Sequence, residues 1–173
     1  VPDQRISQLE NVVSPEKTQP ATVELVDIAG LVAGASKGEG LGNKFLANIR
    51  ETDAIMHVVR CFDDENIVHV SGNINPLSDI ETINTELILS DMETLDKAIQ
   101  KESKKSKSGD KDSKKLLDLY KKIQLIFDQG NLASSIELTA DELFMIRPLC
   151  LITIKPIMFV ANVDENGFKD NAS

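Results

Sequence analysis

The hydrophobic residues of this chain change their spacing at about residue 79. Before that point, residues 21–28 and 53–62 form short aliphatic runs, and a third such run covers residues 155–162. Their length and their β-branched content predict strands. Because the runs are nearly continuous rather than alternating, they are typical of a parallel sheet that is buried on both faces.

Between residues 79 and 147 the pattern is helical. Two groups of apolar residues recur at steps of four, three and four: Ile88, Met92, Leu95 and Ile99, and then Leu116, Tyr120, Ile123 and Phe127. A polar stretch, residues 101–115, separates the two groups. The pattern predicts two amphipathic helices packed as an antiparallel coiled-coil hairpin with a polar tip.

The order of these elements predicts an α/β fold. Shorter helical patterns cover residues 6–13, 43–51 and 140–146, the last of which ends before Pro148. Strand, loop, helix, strand, helices and strand is the order of a mostly parallel sheet with a helical insertion. We therefore assign residues 1–78 and 148–173 to one domain and residues 79–147 to an inserted coiled-coil hairpin.

Composition narrows the class of protein. Of the 173 residues, 41% are hydrophobic, which is enough for a core and too many for a disordered chain. No apolar run approaches the ~20 residues that cross a bilayer, so we expect no membrane contact. The formal charge of −9 argues against nucleic-acid binding over the whole surface, but not against a local basic patch.

The two cysteines indicate the redox environment. Cys61 and Cys150 lie far apart in the sequence and have apolar neighbours. Such a pair is typical of free core thiols in a reducing cytosol rather than of a disulfide framework. We predict two unpaired, buried cysteines and a cytoplasmic protein.

A local basic patch exists at the tip of the predicted hairpin. Seven lysines lie there against three acidic residues: Lys101, Lys104, Lys105, Lys107, Lys111, Lys114 and Lys115. A projecting basic tip can contact RNA phosphates without sequence specificity. The alternative is a solvated turn that the lysines keep soluble, and the patch contains no aromatic residue on which a base could stack.

Candidate chemistry lies at the ends of the predicted strands, where parallel α/β sheets bind ligands. Asp27 is near the end of the first strand, and residues 30–42 contain five of the nine glycines. A carboxylate there can hold Mg²⁺ through water, and Gly30 lets a backbone N–H approach a terminal phosphate. The alternative is an ordinary strand-to-loop turn capped by Asp27.

A second group of polar residues ends the last predicted strand. Asn162 and Glu165 stand where guanine-binding GTPases carry Asn-Lys-x-Asp, and Val163 takes the place of the lysine. A carboxylate one methylene longer need not meet the two donors of guanine, whereas the amino group and N7 of adenine suit an asparagine. The alternative is a polar turn that leads into Asn166 and Gly167.

The two strand ends together resemble a known family. Residues 26–50, VDIAGLVAGASKGEGLGNKFLANIR, and residues 57–62, HVVRCF, are similar to the YchF subfamily of Obg-like P-loop NTPases. The resemblance covers all 173 residues, the helical hairpin included. It implies a P-loop NTPase-like sheet and a ribosome-associated ATPase that prefers ATP to GTP and uses Mg²⁺.

The resemblance also implies roles for individual residues. Asp27 would lie on the Mg²⁺ side, and residues 28–31 would sense the γ-phosphate: Ile28, Ala29, Gly30 and Leu31. Leu31 stands where Ras-like GTPases carry a glutamine that orients the attacking water, so the water needs another partner. The implied catalytic residue is His69, which is otherwise an ordinary loop histidine. The base pocket would be Asn162, Val163 and Glu165.

One departure from the family pattern concerns phosphate binding. No G-x-x-x-x-G-K-[ST] motif occurs in these residues, and the family places that P-loop upstream and a TGS domain downstream. We therefore expect an internal fragment that does not hydrolyse ATP by itself. The implied partner is the ribosome, as large subunit or 70S-type particle, with ribosomal RNA contacted by Lys101, Lys104, Lys105 and Lys107. The alternative function is a ribosome- or protein-binding module in which nucleotide is only regulatory.

Overall fold

The sheet consists of two parallel strands in the part of the chain that the structure describes. The computed structural model describes residues 1–27, 41–63, 74–107, 110–165 and 167. Strand β1 (Ile55–Arg60) pairs with strand β2 (Ile157–Asn162), in a register that runs from Ile55 opposite Ile157 to Arg60 opposite Asn162. The strands predicted at 53–62 and 155–162, and their parallel direction, are confirmed.

The strand predicted at residues 21–28 is wrong for the residues that are described. Residues 21–27 are in no helix or strand, and Val23 and Leu25 are 71% and 75% exposed. The amino group of Val1 donates to the Ala21 carbonyl at 2.7 Å. A β-branched sequence favours extended backbone, but a strand also needs a neighbouring strand to which it hydrogen-bonds. Among the described residues, β1 and β2 pair with each other, and residues 21–27 pair with neither of them.

Two helices precede β1 in sequence. Helix α1 (Gln4–Val13) begins at Asp3, whose side chain accepts from the backbone N–H of Arg5, and it is exposed along its length. Helix α2 (Leu41–Glu51) buries Leu46 and Ile49 and ends four residues before β1. Both helices begin two residues earlier than the apolar spacing predicts, because the first turn of a helix need not contain buried residues.

A long helical hairpin connects β1 to β2. Helix α3 (Pro76–Ser106) has 31 residues and begins after Asn75, whose side chain accepts from the N–H of Ser78 at 3.2 Å. Helix α4 (Lys111–Asp128) has 18 residues and packs antiparallel along α3. We call these two helices the helical arm; it confirms the predicted hairpin. The division into domains at residues 78 and 147 stays a prediction.

The chain returns to the sheet through short helices. A 3₁₀ turn (Ala133–Ser135) leads to helix α5 (Ala140–Ile146), which begins with a capping box between Thr139 and Glu142. A second 3₁₀ turn (Arg147–Leu149) follows. The predicted end of α5 before Pro148 is confirmed.

Two hydrophobic clusters meet along α3. The larger cluster fills the arm and the connection after it: Ile88, Leu95, Leu119, Tyr120, Ile123, Phe127, Ala133, Ile146 and Leu151. The smaller one joins α2 to the arm: Leu46, Ile49, Leu87 and Ile152. The two clusters adjoin, because neighbouring residues belong to different ones: Leu87 and Ile152 to the smaller cluster, Ile88 and Leu151 to the larger. Helix α2 therefore packs against the base of the arm.

Both cysteines are unpaired, as predicted, but the prediction that they are buried is wrong. Cys61 follows the last residue of β1 and is exposed. Cys150 ends the second 3₁₀ turn with φ of 48° and is also exposed. Apolar neighbours in sequence do not bury a residue at the point where an element ends. In the described residues, no helix has the length and apolar character that a membrane span requires.

Candidate functional site

The carboxyl ends of β1 and β2 lie side by side. Arg60 and Asn162 are the last pair in the register, and the N–H of Cys61 donates to the Asn162 carbonyl at 2.7 Å. The segments that follow the two strands therefore leave the sheet at the same edge. This edge is where a parallel α/β sheet binds its ligand.

A cationic side chain lies at this edge. The guanidinium of Arg60 is stacked 4.7 Å from the centre of the Phe62 ring, and its Nε donates to the Phe62 carbonyl at 3.1 Å. Stacking on an aromatic ring holds a guanidinium flat and in place. The segment after β1 is therefore folded back against the end of its own strand.

The segment after β2 forms a closed turn. We call residues 162–165 and 167 the strand-end turn. The Oδ1 atom of Asp164 accepts from the N–H of Gly167 at 2.7 Å, while Val163 is half-buried. Asn162 and Glu165 are exposed. A polar turn that leads into Gly167 is therefore present, and the base-pocket role of Asn162, Val163 and Glu165 stays a prediction.

The other predicted site residues are only partly within the structure. Asp27 is described and exposed, with no regular secondary structure. Ile28, Ala29, Gly30, Leu31 and His69 lie outside the described residues. Asn162, Val163 and Glu165 follow one another closely at the end of β2, and the roles of all the predicted site residues stay predictions.

Magnesium was predicted at Asp27. An exposed carboxylate is a suitable outer ligand for Mg²⁺, which prefers oxygen and keeps several waters. Among the described residues, no group of three or more His, Cys, Asp or Glu side chains could hold a metal ion. The exposed carboxylate of Asp27 fits an outer ligand, and its role at Mg²⁺ stays a prediction.

His57 belongs to the sheet and not to the site. It lies in β1 opposite Phe159, with 5.5 Å between the ring centres, and it is half-buried. Burial lowers the pKa of this imidazole from its ordinary value, because desolvation disfavours the charged form. These contacts are those of a packing residue, as its position within a strand predicts.

A buried ion pair connects α2 to the helical arm, and sequence reasoning missed it. Asp91 of α3 is fully buried, and its Oδ1 accepts from the guanidinium of Arg50 at 3.0 Å. The same carboxylate accepts from the N–H groups of Ile152 and Thr153 and from the Thr153 hydroxyl, at 2.8–3.0 Å. Asp91 therefore joins three segments at one point.

Arg50 uses its remaining donors at the same place. It donates to the carbonyl of Cys150 at 2.9 Å, to the hydroxyl of Ser90 at 2.8 Å and to the hydroxyl of Thr94 at 3.1 Å. We call Arg50, Asp91 and Thr153 the junction. Burying a charge pair is costly, and these additional hydrogen bonds offset part of that cost.

Lys155 completes the connection beside the junction. Its ammonium group donates to the carbonyls of Ile49, Arg50 and Thr52, so it caps the C-terminal end of α2. Burial lowers the pKa of this amine, because the charged form loses hydration. A cation at a helix C-terminus also offsets the negative end of the helix dipole.

One signal in the sequence pointed to the junction. Asp91 lies three residues after Ile88 and four before Leu95, on the same helical stripe as these buried residues. A carboxylate on an apolar stripe needs a partner. The partner, Arg50, lies 41 residues away, and no local pattern identifies it.

The tip of the arm exposes lysines of both helices together with Asp110 and Asp112. Ser113 Oγ lies 3.0 Å from Glu102 Oε2 and 2.7 Å from Asp110 Oδ2, and Lys105 Nζ donates to Glu102 at 2.8 Å. Glu102 is buried, and its hydrogen bond from Lys105 lowers the pKa of its carboxyl group. The seven tip lysines are all exposed. The outer surface of the tip is therefore basic, although the protein is acidic.

Comparison with known proteins gives the same picture over the whole chain. A family model described as 50S ribosome-binding GTPase matches residues 7–107. The "Ribosome-binding ATPase YchF" of Pasteurella multocida is 56% identical over 171 residues, which are 99% of this chain and 47% of that protein. The protein of the same name from Bacillus subtilis is 51% identical over 170 residues, 98% of this chain and 46% of its own length.

A solved structure agrees as well. The YchF GTPase of Schizosaccharomyces pombe superposes with a TM-score of 0.78 at 33% sequence identity, covering 99% of this chain and 47% of the other. The chain thus spans about half the length of the curated relatives it matches.

Parallel strands with helices packed beside them, together with the family model and the solved relative, show an α/β fold of the P-loop GTPase class. The predicted fold class is confirmed. More narrowly, the chain belongs to the 50S ribosome-binding GTPase family, and within it to the YchF subfamily of Obg-like proteins.

Proposed function

We propose that this chain is part of a cytoplasmic ATPase that prefers ATP to GTP and acts as a ribosome-associated switch. The observation that supports the proposal is the strand-end turn: Asn162 ends β2 and Glu165 follows it, both are exposed, and parallel α/β sheets bind ligands beyond such strand ends. The relatives named ribosome-binding ATPases share this whole region with the chain.

Base recognition follows from the chemistry of the strand-end turn. Val163 is half-buried and supplies an apolar wall. The carboxylate of Glu165 accepts from the amino group of adenine, and the amide of Asn162 donates to an acceptor at the edge of the base. Guanine presents two adjacent donors that a carboxylate displaced by one methylene meets less well, so ATP is the expected substrate.

The phosphate side depends on residues proposed from the sequence. Asp27 would hold Mg²⁺ through water, and the backbone of Ile28, Ala29 and Gly30 would sense the γ-phosphate. When bound, the ion neutralises charge on the phosphate oxygens. The side chain of Leu31 cannot orient water, because it has no hydrogen-bonding group.

His69 is the residue that we propose orients the attacking water. In the full-length protein, His69→Ala is expected to lower ATP turnover by about 10²-fold or more and to leave ATP affinity unchanged, because the imidazole acts in the transition state. The measurement is steady-state hydrolysis of ATP and GTP together with calorimetric binding of both nucleotides.

The control uses the other histidine. His57→Gln changes a residue packed on Phe159 in β1 and should retain turnover. Unaltered turnover in His69→Ala would remove that residue from the mechanism. Equal affinities for ATP and GTP in the wild-type protein would show that the strand-end turn does not select adenine.

A second candidate function rests on the arm. All seven tip lysines are exposed, against the two exposed acidic residues Asp110 and Asp112, so the tip offers a net positive charge to an anionic partner. We propose that the arm contacts ribosomal RNA phosphates through Lys101, Lys104, Lys105 and Lys107, on the large subunit or the 70S-type particle. Nucleotide would then be a regulator of binding.

Charge reversal at the tip tests this second function. Replacing Lys104, Lys105 and Lys107 with glutamate is expected to weaken co-sedimentation with ribosomes by at least about 10-fold. The dependence of binding on salt should also fall, because a protein that makes fewer phosphate contacts releases fewer counterions when it binds. Sedimentation with separate subunits and with 70S particles at several salt concentrations measures the effect.

The matched control replaces the same three lysines with arginine. That variant keeps the charge at each position and should pellet like the wild-type protein. If the glutamate variant also pellets normally with an unchanged salt dependence, the tip has no role in ribosome binding.

A further inference from the structure

The strand-end turn contains a residue that no prediction assigned to the site. Asp164 stands between Val163 and Glu165, and its carboxylate accepts from the N–H of Gly167 at 2.7 Å. It is exposed, and its bond closes a turn that contains Glu165 and begins two residues after Asn162, the last residue of β2. Its position in the middle of the turn sets the path of the chain on both sides.

The turn is fixed at its beginning by the sheet. The Asn162 carbonyl accepts from the N–H of Cys61 at 2.7 Å, which is the last bond between the two strand segments. Beyond that point the ladder gives no further support. The bond from Gly167 to Asp164 is therefore the local contact that determines how Glu165 leaves the sheet.

Gly167 fits the turn because it has no side chain. A Cβ atom added there would lie 3.0 Å from the Cβ of Val163 and 3.2 Å from the Oδ1 of Asp164. The first of these atoms is attached to the backbone and cannot rotate away. Any side chain at position 167 thus displaces either Val163 or the Asp164 bond.

We propose that Asp164 and Gly167 are positioning residues that set the base selectivity of the nucleotide site. Asp164 does not contact the base; it holds the turn in the shape that presents Asn162 and Glu165 together. The inference rests on the function proposed above and names two further residues of the same site. Selectivity between bases depends on the relative placement of hydrogen-bonding groups, so a loosened turn loses it first.

Phosphate binding should not depend on this turn. The groups proposed for Mg²⁺ and the γ-phosphate belong to residues 27–31, a different segment of the chain, so the strand-end turn supplies none of them. A disturbed turn should therefore change the ratio of GTP to ATP dissociation constants without changing the affinity for a bare triphosphate. A residue that merely keeps the protein folded would lower both.

The test uses the full-length protein with ATP, GTP and inorganic tripolyphosphate, each with Mg²⁺, in calorimetric titrations. Asp164→Ala and Gly167→Ala are expected to lower the preference for ATP by about 10-fold, equivalent to ~1.4 kcal/mol. Tripolyphosphate affinity should stay within 2-fold, on the order of experimental error. Asp164→Asn should behave as wild type, because its amide oxygen still accepts from Gly167.

Two outcomes would overturn the inference: an unchanged preference in Asp164→Ala, or an equal loss of preference in Asp164→Asn. The variant Glu165→Ala distinguishes a failure of the positioning role from a failure of the proposed function. If the wild-type protein has no base preference, or if Glu165→Ala retains it, the proposed base pocket itself is wrong. If Glu165→Ala loses the preference while Asp164→Ala keeps it, only the role of Asp164 and Gly167 is lost.

Discussion

Replacing Asp91 with alanine is expected to lower the free energy of unfolding by about 3–5 kcal/mol, because one change removes the partner of several buried groups. Arg50 loses its counterion, and the N–H groups of Ile152 and Thr153 and the Thr153 hydroxyl lose their acceptor. Each unsatisfied buried donor costs about 1–3 kcal/mol. Urea unfolding followed by circular dichroism measures the loss.

A second aspartate on the same helix is the control. Asp96 is exposed, and its carboxylate accepts from the side chain of Gln124 at 3.0 Å. Asp96→Ala should cost no more than about 0.5 kcal/mol, as is usual for surface substitutions. If the two variants unfold at the same urea concentration, the junction does not stabilise the fold.

Truncation of Leu95 should have the second largest effect. Leu95 is fully buried between the two helices of the arm, and Leu95→Ala removes contacts and leaves a cavity. The expected loss is about 2–5 kcal/mol. Thermal and urea unfolding of the same sample measure it.

Leu125→Ala is the matched control on the partner helix. Leu125 is 62% exposed, so the same chemical change removes little buried surface. Since alanine favours helix slightly more than leucine does, the expected change is within about 0.5 kcal/mol of zero. A large loss at Leu125, or none at Leu95, would contradict the packing of the arm.

The arm was predictable because its information is local. The stripe that contains Ile88, Leu95, Tyr120 and Ile123 is read from the spacing alone, and these residues are buried. The helix ends were less accurate, since they depend on caps such as Asn75 and Asp110 rather than on the stripe.

The sheet was predictable only in part because pairing is not local. Strands β1 and β2 pair in parallel although the long helical hairpin separates them in sequence, as the order of elements indicates. Residues 21–27 have a similar strand propensity but pair with neither strand. Propensity alone therefore predicted a strand that the described residues do not form.

In the candidate site, too, some features follow from the sequence and others depend on contacts between distant residues. The position of Asn162 follows from the rule that ligands bind beyond strand ends, and the structure places it opposite Arg60. The bond between Asp164 and Gly167 and the pair of Arg50 with Asp91 depend on three-dimensional geometry that a sequence pattern does not contain. The roles of Asp27 and His69 stay predictions.

The position of the junction has a mechanical consequence. Asp91 lies near the middle of α3, and the rise of 1.5 Å per residue puts the end of that helix at Ser106 about 22 Å beyond it. Because Arg50 and Lys155 attach the end of α2 to this point, any change in the tilt of α3 about Asp91 would displace the tip most. A tilt of about 10° there displaces the basic tip by about 4 Å on the same helical geometry.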